Sequence, residues 1–310
     1  MANDSILVLG ANGFVGKHLV RALVAQGKNV IAASRHVATF RTEGVEWVVG
    51  PFDEPEHFVR LLERSTAVVH AASRSTPGSS AGNAIAELRI NLQPTVALLQ
   101  ALQQTPEVTL LYLSSGGSLY PASTGDAPAT EASAVRPRSY HGAGKVAAEQ
   151  FISAWCDQNG RAATILRPSN IYGPGQSARS GFGIIPTGFS KIRHSETLTV
   201  WGDGSAVRDY LYIDDFTALC EAVLTRPMHT GMLVLNAASG RGVSLDELFG
   251  AMEKVAARPL HRFYDRARAV DAARVVIDAS AAQACYDWTS TTTLHEGLKK
   301  TWDWFSTTPP

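Results

Sequence analysis

The sequence predicts a doubly wound α/β fold, in which helices cover both faces of a parallel sheet, followed by a smaller C-terminal lobe. Up to residue 167, short runs rich in Val, Ile and Leu alternate with helical patterns. The runs are apolar throughout and do not alternate with polar residues, as expected of strands that are buried on both faces. Beyond Pro168 the sequence is richer in Gly and Pro, which predicts longer loops.

The predicted elements follow one another in the order strand, helix, strand. In the first part of the chain they are strands at 6–9, 30–34, 45–49, 68–71, 110–114 and 163–167, with helices at 15–26, 90–102 and 145–158. In the second part they are strands at 198–201 and 233–236, with helices at 214–225 and from Ser244 onward. Ser244 and Glu247 have the spacing of a capping box at a helix N-terminus.

The composition argues against several classes of protein. Lys and Arg total 28, as do Asp and Glu, so the chain has no net positive charge to attract nucleic acid or an anionic membrane. The cysteines Cys156, Cys220 and Cys285 are widely spaced, which disfavours disulfides or a zinc site and favours a reducing, cytoplasmic compartment. The histidines lack metal-ligand spacing, so we expect no metal. No apolar run has the length of a membrane span, and no signal-peptide pattern is present.

A glycine-rich turn connects the first predicted strand to the first helix. It reads Gly10-Ala11-Asn12-Gly13-Phe14-Val15-Gly16. Glycines at these spacings allow a tight turn, a close approach to a pyrophosphate and close packing of the helix on the strand. The helix N-terminus adds free N–H groups and the positive end of the helix dipole. The turn therefore predicts binding of NAD or NADP.

The end of the second strand bears on which of these cofactors is bound. In NAD-binding proteins of this type, an acidic residue at that point binds the ribose hydroxyls. This chain has Ser34 and Arg35 there. A hydroxyl followed by a guanidinium suits a 2′-phosphate, because Arg forms charge-assisted hydrogen bonds with phosphate. NADP is therefore favoured over NAD, although Arg35 is also compatible with a structural role at a sheet edge.

Together with this turn, several segments resemble the extended short-chain dehydrogenases/reductases of the nucleotide-sugar epimerase/dehydratase family. They are Val68 to Ala72, Asn91 with Thr95, Leu113 to Tyr120, Arg167 to Pro174, Gly202 to Tyr210, Tyr212 to Asp215 and Asn236 to Gly240. The resemblance runs along nearly the whole chain. It implies that Ala71 and Ala72 lie along the cofactor and that Lys145 holds the ribose.

The chain departs from this family at its main catalytic position. The family has a Tyr-x-x-x-Lys pair on the helix after the fifth strand, in which the phenolate moves a proton during hydride transfer. Here His141 stands four residues before Lys145, and Tyr140 is one position earlier. One position corresponds to about 100° around a helix axis, so Tyr140 and His141 are expected to point in different directions.

A second departure concerns the hydroxyl that accompanies this pair in the family. A Ser or Thr is usual four residues before Tyr120, where this chain has Gly116 between Ser115 and Ser118. Three interpretations of His141 stay open. In the first, its imidazole replaces the phenol as acid and base. In the second, Tyr140 takes that role. In the third, the chemistry is lost while the fold is kept.

The resemblance also implies a site for a nucleotide-sugar, linked to UDP or dTDP, in the C-terminal lobe. Asn170 is at the position of an asparagine that touches the diphosphate, and Arg208 and Arg268 are at the positions of two arginines that clamp it. Arg suits this role because its planar guanidinium binds two oxygens at once. We predict a dinucleotide-binding domain (1–167 and 205–237) and a nucleotide-sugar-binding lobe (168–204 and 238–310).

These observations predict an NAD(P)-dependent nucleotide-sugar epimerase that acts through a transient keto-sugar, with a homodimer as the expected assembly. The alternative is an NADPH-dependent 4-keto-sugar nucleotide reductase, which Arg35 favours. An alternative of another class is a protein that binds cofactor or nucleotide-sugar without turnover, since His141 and Gly116 replace the usual catalytic residues.

Overall fold

The computed structural model describes residues 4–38, 42–76, 78–122, 125, 127–178, 183–228, 230–267 and 272–307. Its strands are β1 (Ser5–Leu9), β2 (Asn29–Ser34), β3 (Val45–Val49), β4 (Ser65–His70), β5 (Thr109–Leu113), β6 (Ala162–Pro168), β7 (Asn170–Tyr172), β8 (Leu198–Trp201), β9 (Val207–Tyr212), β10 (Gly231–Ala237), β11 (Gly242–Ser244), β12 (Arg262–Asp265) and β13 (Arg274–Val275). Its α-helices are α1 (Phe14–Ala25), α2 (Glu56–Leu62), α3 (Ala84–Glu87), α4 (Gln93–Leu102), α5 (Gly116–Leu119), α6 (Tyr140–Asn159), α7 (Ile184–His194), α8 (Ile213–Thr225), α9 (Leu245–Ala256), α10 (Ser280–Tyr286) and α11 (Leu294–Thr307).

Seven of these strands form one sheet, in the order β10-β6-β5-β4-β1-β2-β3. The pairs among β1 to β6 are all parallel. The predicted doubly wound parallel sheet is therefore confirmed. The chain order reverses between β1 and β4, and sheets of this kind bind ligands at such a switch point, outside the carboxyl ends of the strands.

A buried core fixes the strands and helices that carry this switch point. Leu7, Ile31 and Val68, from β1, β2 and β4, are each at most 1% exposed. They belong to one apolar cluster with Leu98 of α4 and Ile152 of α6. Because interiors of this kind are closely packed, the carboxyl ends of these strands and the start of α6 are held in a rigid frame.

The predicted helix at 90–102 is more complex in the structure. It is made of α3, a π-helical segment at Leu88–Leu92, and α4. Pro94 lies at the start of α4. Because proline has no N–H, it cannot donate the usual hydrogen bond to the carbonyl four residues earlier, which accounts for an irregular helix at this point. Short π-helical segments are frequent at functional sites.

Helix α6 begins five residues before the predicted start at 145. Ser139 is its N-cap, and its side chain accepts a hydrogen bond of 3.1 Å from the N–H of Gly142. The helix ends at Asn159 and is capped by Gly160, whose φ of 60° is in the left-handed region that glycine adopts readily. Both Tyr140 and His141 consequently lie in the first turn of α6.

The second half of the chain contains smaller sheets. β11, β9 and β13 form one sheet in which β7 also pairs with β9, and β12 pairs with β8. The predicted capping box at Ser244 and Glu247 is confirmed at the start of α9. Helices α2, α5, α7 and α10 were absent from the sequence prediction.

The chain divides into two compact units. The first contains Met1–Leu119, Ser139–Arg167 and Thr217–Leu235, and the second contains Tyr120–Arg138, Pro168–Phe216 and Asn236–Pro310. The predicted domains instead grouped 120–138 and 205–216 with the dinucleotide-binding part. The difference at 205–216 arises because β9 pairs with β7, β11 and β13 and takes no place in the seven-stranded sheet. The binding roles of the two domains stay predictions.

Among the described helices, none has both the length and the apolar character needed to cross a bilayer. The described residues also contain no group of three or more His, Cys, Asp or Glu side chains that is arranged to hold a metal ion.

Candidate active site

The glycine turn predicted from the sequence lies at the switch point of the sheet. Gly10 follows β1 with a φ of +86°, and a Cβ at this position would lie 2.7 Å from the backbone of Ala72. A Cβ on Gly16 would collide with the carbonyl oxygen of Gly10. Both positions therefore require glycine, one for its backbone conformation and both for their close contacts.

The start of α1 presents free backbone donors. Gly13 is the N-cap, no side chain caps the helix, and its first turn contains no acidic residue. The N–H groups of Phe14, Val15 and Gly16 have no partner within the helix, and the positive end of the helix dipole lies beside them. Asn12 precedes this turn and is partly buried. These features fit the pyrophosphate of a dinucleotide.

Ala71 and Ala72 follow β4 on the other side of the switch point. The N–H of Ala71 donates a 3.0 Å hydrogen bond to the carbonyl of Leu9, which extends the pairing of β4 with β1. Ala72 lies directly against Gly10. The turn and the end of β4 thus form one continuous backbone surface, as the family resemblance implies for a cofactor site.

At the end of β2, Ser34 and Arg35 differ in how far their side chains are available to contact a ligand. Ser34 is buried, and its hydroxyl donates a 2.6 Å hydrogen bond to the carbonyl of His36. The Ser34 oxygen is thus left as an acceptor, which does not match a phosphate. Arg35 is exposed, and partial burial and the charge of Arg74 lower its pKa. Two neighbouring guanidinium groups at this edge would favour an anion.

Lys145 lies inside the first unit, on α6. It is 6% exposed, and its Nζ donates a 2.6 Å hydrogen bond to the carbonyl of Leu113 at the end of β5. Nζ also lies 4.7 Å from the ring centroid of Tyr112. Burial lowers the pKa of Lys145 to about 8, although the nearby carboxylates of Glu87 and Glu149 oppose this change. The Lys145 ammonium therefore loses its proton at a lower pH than the ammonium of an ordinary lysine.

A buried ion pair anchors α6 against the sheet. Arg167 of β6 donates to both carboxylate oxygens of Glu149, with a shortest distance of 2.6 Å. Ser114 donates a further hydrogen bond to Glu149. Because a buried pair is favourable only when hydrogen bonds satisfy it, this arrangement specifies the position of α6 closely.

His141 is buried in the first turn of α6. Its Nδ1 lies 2.9 Å from the hydroxyl oxygen of Ser75, and its backbone N–H donates to the hydroxyl of Ser80 at 3.1 Å. Burial, together with the charge of Lys145, lowers the pKa of His141 to about 4, so the imidazole is neutral at pH 7. His141 and Lys145 are four residues apart and share one helix face.

Tyr140 has a different environment. It is the first residue of α6 and is 46% exposed, whereas His141 is 8% exposed. The structure thus brings His141, and not Tyr140, into the buried group around Lys145. Whether His141 is catalytic stays a prediction.

The serines beside Gly116 are separate from this group. Ser115 precedes α5 and Ser118 lies within it, and both are partly buried. The N–H of Ser118 donates to the carbonyl of Ser115 at 3.4 Å. Among the described residues, neither hydroxyl forms a hydrogen bond with His141 or Lys145. The catalytic role of Ser115 and Ser118 stays a prediction.

Three residues of this environment were missed by the sequence analysis. They are Ser75 and Ser80, which contact His141, and Glu87, which is buried beside Lys145. The polar stretch that follows β4 contains both serines and was the available signal. Glu87 gives no such signal, because an acidic residue in a helical pattern is usually solvent-exposed.

In the second unit, two of the three predicted substrate residues lie on neighbouring strands. The side chain of Asn170 in β7 donates a 2.8 Å hydrogen bond to the carbonyl of Asp209. Asn170 is in register with Tyr210, so it shares a sheet face with Arg208, two residues before Tyr210. Arg208 donates to the carbonyl of Val207 at 2.8 Å. The third residue, Arg268, lies outside the described residues.

The fully buried carboxylate of Asp209 organises the loops around these two strands. It accepts hydrogen bonds from the Ser169 hydroxyl, from the N–H and hydroxyl of Ser239, and from the N–H of Gly240. Burial raises the pKa of Asp209, and these donors oppose the increase. Asp209 thus has a structural role beside Arg208.

The sequence profile of the NAD dependent epimerase/dehydratase family matches residues 6–236, which is most of the chain. The chain belongs to this family. The UDP-glucose 4-epimerase of Mycolicibacterium smegmatis is 27% identical over 309 residues, covering 96% of this chain and 97% of the relative. A dTDP-4-dehydro-6-deoxy-D-allose reductase of a Streptomyces species is 29% identical over 324 residues, covering 98% and 97%. The crystal structure of a UDP-glucose 4-epimerase with UDP-glucose from Thermotoga maritima superposes with a TM-score of 0.90 at 25% identity, covering 97% of this chain and 98% of that one.

Membership of the epimerase/dehydratase family confirms the resemblance and the prediction of an enzyme. Against this family, the chain retains the glycine turn and Lys145 but has His141 in place of the usual tyrosine and Gly116 in place of the usual hydroxyl residue. The residue types at these two positions therefore differ from those usual in the family.

Proposed function

We propose that this family member catalyses hydride transfer at one carbon of a nucleotide-sugar. The observation that carries the proposal is the buried pair of His141 and Lys145 on one face of α6, where the family has its Tyr and Lys. The relatives named as a UDP-glucose 4-epimerase and as a dTDP-keto-sugar reductase support a nucleotide-sugar as the substrate.

The first candidate reaction is epimerisation through a keto-sugar. A bound nicotinamide cofactor supplies the exchange of hydride with the sugar carbon. The protein has to hold the sugar oxygen and exchange its proton as the carbon changes between hydroxyl and keto forms. The burial of His141 beside Lys145 supports this role for it, and Tyr140 is the other candidate.

Reduction of a 4-keto-sugar nucleotide is the second candidate, favoured by the end of β2. Arg35 and Arg74 bring two positive charges near each other, and positions 34 and 35 hold no acidic residue that could bind ribose hydroxyls. This arrangement favours the 2′-phosphate of NADP over NAD. A reductase consumes NADPH, so a preference for that cofactor would support reduction.

The proposed contacts of each ligand follow from these elements. For the cofactor they are Gly10, Asn12, Gly13, Phe14, Val15, Gly16, Arg35, Ala71, Ala72 and Lys145. For a UDP- or dTDP-linked sugar they are Asn170, Arg208 and Arg268. The buried ammonium of Lys145 suits a ribose hydroxyl, because an ammonium donates three hydrogen bonds and only one of these is used by Leu113.

Turnover assays separate the candidate functions. Epimerisation is assayed with UDP-glucose and UDP-galactose, and reduction with a dTDP-4-keto-sugar and either NADPH or NADH. If His141 exchanges the proton, His141→Ala loses activity by about a hundredfold or more, whereas Tyr140→Phe stays near the parent. The opposite pattern assigns the role to Tyr140. No turnover by the parent with either substrate class, together with tight binding of both ligands, would support the binding protein.

His141→Tyr restores the family pattern and tests the frame around the site. Retained or increased turnover in this variant is expected if Lys145 and the cofactor already have the family arrangement. The homodimer and the cytoplasmic location expected from the sequence stay proposals, and light scattering of the purified protein tests the first.

A further inference from the structure

A set of polar residues beside His141, made of Ser75, Asn91 and Glu87, determines which nitrogen of its ring carries the proton. Asn91 lies in the π-helical segment before α4. Its Oδ1 accepts a 2.8 Å hydrogen bond from the backbone N–H of Arg74. Because an N–H can only donate, this contact fixes which end of the Asn91 amide is oxygen.

The amide nitrogen of Asn91 then has two acceptors. Nδ2 donates to the hydroxyl oxygen of Ser75 at 2.8 Å and to Oε1 of Glu87 at 2.8 Å. Glu87 is 4% exposed, and its Oε2 is buried with no hydrogen-bond partner among the described residues. The hydrogen bond to Glu87 thus helps to hold the Asn91 amide in the orientation in which it donates to Ser75.

The hydrogen bond from Asn91 also sets the direction in which the Ser75 hydroxyl donates. Its hydroxyl oxygen accepts from Asn91, so its single hydrogen is free for Nδ1 of His141, 2.9 Å away. If Nδ1 carried a proton instead, the Ser75 oxygen would accept two hydrogen bonds and its own hydrogen would lose this acceptor. Both arrangements make two hydrogen bonds at the Ser75 oxygen, but the second leaves the hydrogen of this buried hydroxyl unpaired, which costs free energy, and the first does not.

The neutral imidazole therefore has its proton on Nε2. Nε2 makes no hydrogen bond to the described residues, so it is the ring atom left for a ligand. A ring in this form donates a hydrogen bond from Nε2, and it accepts one only at Nδ1, which Ser75 already occupies.

We propose that Ser75 is a positioning residue that, oriented by Asn91 and Glu87, holds His141 in the Nε2–H form so that this nitrogen donates to the keto oxygen of a nucleotide-sugar. This inference rests on the proposed function for the identity of the ligand. It deepens that function for the reduction of a 4-keto-sugar, in which hydride addition leaves an alkoxide that takes the Nε2 proton, and water then returns a proton to the ring. The first step of an epimerase needs a group that accepts a proton, which the Nε2–H ring does not offer to the ligand. A hydrogen bond to the keto oxygen makes the carbon a better hydride acceptor.

The proton position is measured in the protein without any ligand. The nitrogen NMR shifts of the imidazole distinguish Nδ1–H from Nε2–H, and the His141→Gln variant assigns the signal among the nine histidines. The parent is expected to show the Nε2–H form. Ser75→Ala removes the hydroxyl whose hydrogen is unpaired in the Nδ1–H form, so it should reduce the ratio of Nε2–H to Nδ1–H by about fivefold, the factor that corresponds to ~1 kcal/mol.

Two further variants make the test specific. Ser80→Ala is the matched control, since Ser80 is a buried serine that contacts the backbone of His141 and not its ring. It should leave the Nε2–H signal unchanged, and Ser75→Thr, which keeps the hydroxyl, should restore it. Asn91→Asp replaces the donor to Ser75 by an acceptor and should shift the ring toward Nδ1–H.

Steady-state kinetics give a second readout. With a dTDP-4-keto-sugar and NADPH, Ser75→Ala should lower kcat about fivefold or more with little change in KM, and Ser75→Thr should recover it. An Nδ1–H ring in the parent, or an unchanged ring in both Ser75→Ala and Asn91→Asp, would overturn the proposal. An inactive parent that shows the expected ring signals would instead contradict the proposed function, and the contribution of Ser75 to the proton position would stand.

Discussion

The carboxylate of Glu87 occupies the space that a side chain at position 144 would need. A Cβ built on Gly144 would lie 2.7 Å from Oε1 of Glu87 and 3.0 Å from its Cγ. Glycine in the middle of a helix is normally unfavourable, so its presence in α6 has to be explained by this contact. Gly144 is one residue before Lys145, and it allows the buried acid to approach the buried ammonium.

This contact predicts the effect of Gly144→Ala. The new methyl group would force Glu87 out of its place, and we expect a loss of about 1–3 kcal/mol in the free energy of unfolding. Gly250→Ala in α9 is the control, because a Cβ there has no atom within 4 Å. That variant should be neutral or gain up to about 1 kcal/mol, as alanine favours helices. Urea unfolding measures both, and equal changes in the two variants would contradict the prediction.

The low pKa of His141 predicts sensitivity of the fold to acid. Burial and the charge of Lys145 lower this pKa to about 4, against 6.5 for an ordinary histidine. Between these values the unfolded chain binds a proton that the folded chain does not. The stability is therefore complete above pH 6.5 and is lost as the pH falls toward 4.

Replacing this histidine should reduce that sensitivity. Between pH 7.5 and pH 5, the parent should lose ~2 kcal/mol more stability than His141→Gln, measured by urea unfolding at both values. His261→Gln, at an exposed position, is the control and should behave as the parent. Burial also lowers the pKa of His70, to about 3, so His141→Gln should retain part of the acid sensitivity. Identical pH dependence in parent and His141→Gln would show that His141 is not buried as a neutral ring.

The proposed preference for NADP(H) is tested at Arg35. We expect NADP(H) to bind more tightly than NAD(H), and Arg35→Ala to narrow the difference by ~1–3 kcal/mol, the size of a charge-assisted phosphate contact. Titration calorimetry with both cofactors measures this. Arg60→Ala removes an exposed guanidinium from α2 and should leave the difference unchanged. Equal affinities of the parent for the two cofactors would refute the assignment.

The proposed binding of a nucleotide-sugar is tested at the two arginines predicted to contact it. Arg208→Ala and Arg268→Ala should each weaken binding of a UDP- or dTDP-sugar by at least tenfold, and cofactor binding much less, since a guanidinium pairs with the diphosphate. Arg258→Ala, an exposed change in the same unit, should affect neither ligand. The double variant Arg208→Ala, Arg268→Ala is the decisive case. If it binds nucleotide-sugars as the parent does, these arginines have no role in the site.

Local patterns in the sequence were sufficient for the doubly wound sheet and the turn at Gly10 to Gly16. Buried parallel strands require apolar runs, and a phosphate-binding turn requires glycines at fixed spacings, so both are visible over a few residues. Comparison with the family motif also located Lys145 and showed that His141 stands in place of the usual tyrosine. Membership of the family was also visible, because its motifs occur in order along the chain.

The tertiary structure decided what surrounds His141. Ser75, Asn91 and Glu87 are distant from it in sequence, and their hydrogen bonds depend on the π-helical segment and on the path of the chain after β4. The start of α6 at Tyr140 likewise depends on its cap at Ser139. Sequence motifs specify which residue types are present, but the direction of a hydroxyl proton or the pKa of a buried imidazole is set by neighbours that only folding brings together.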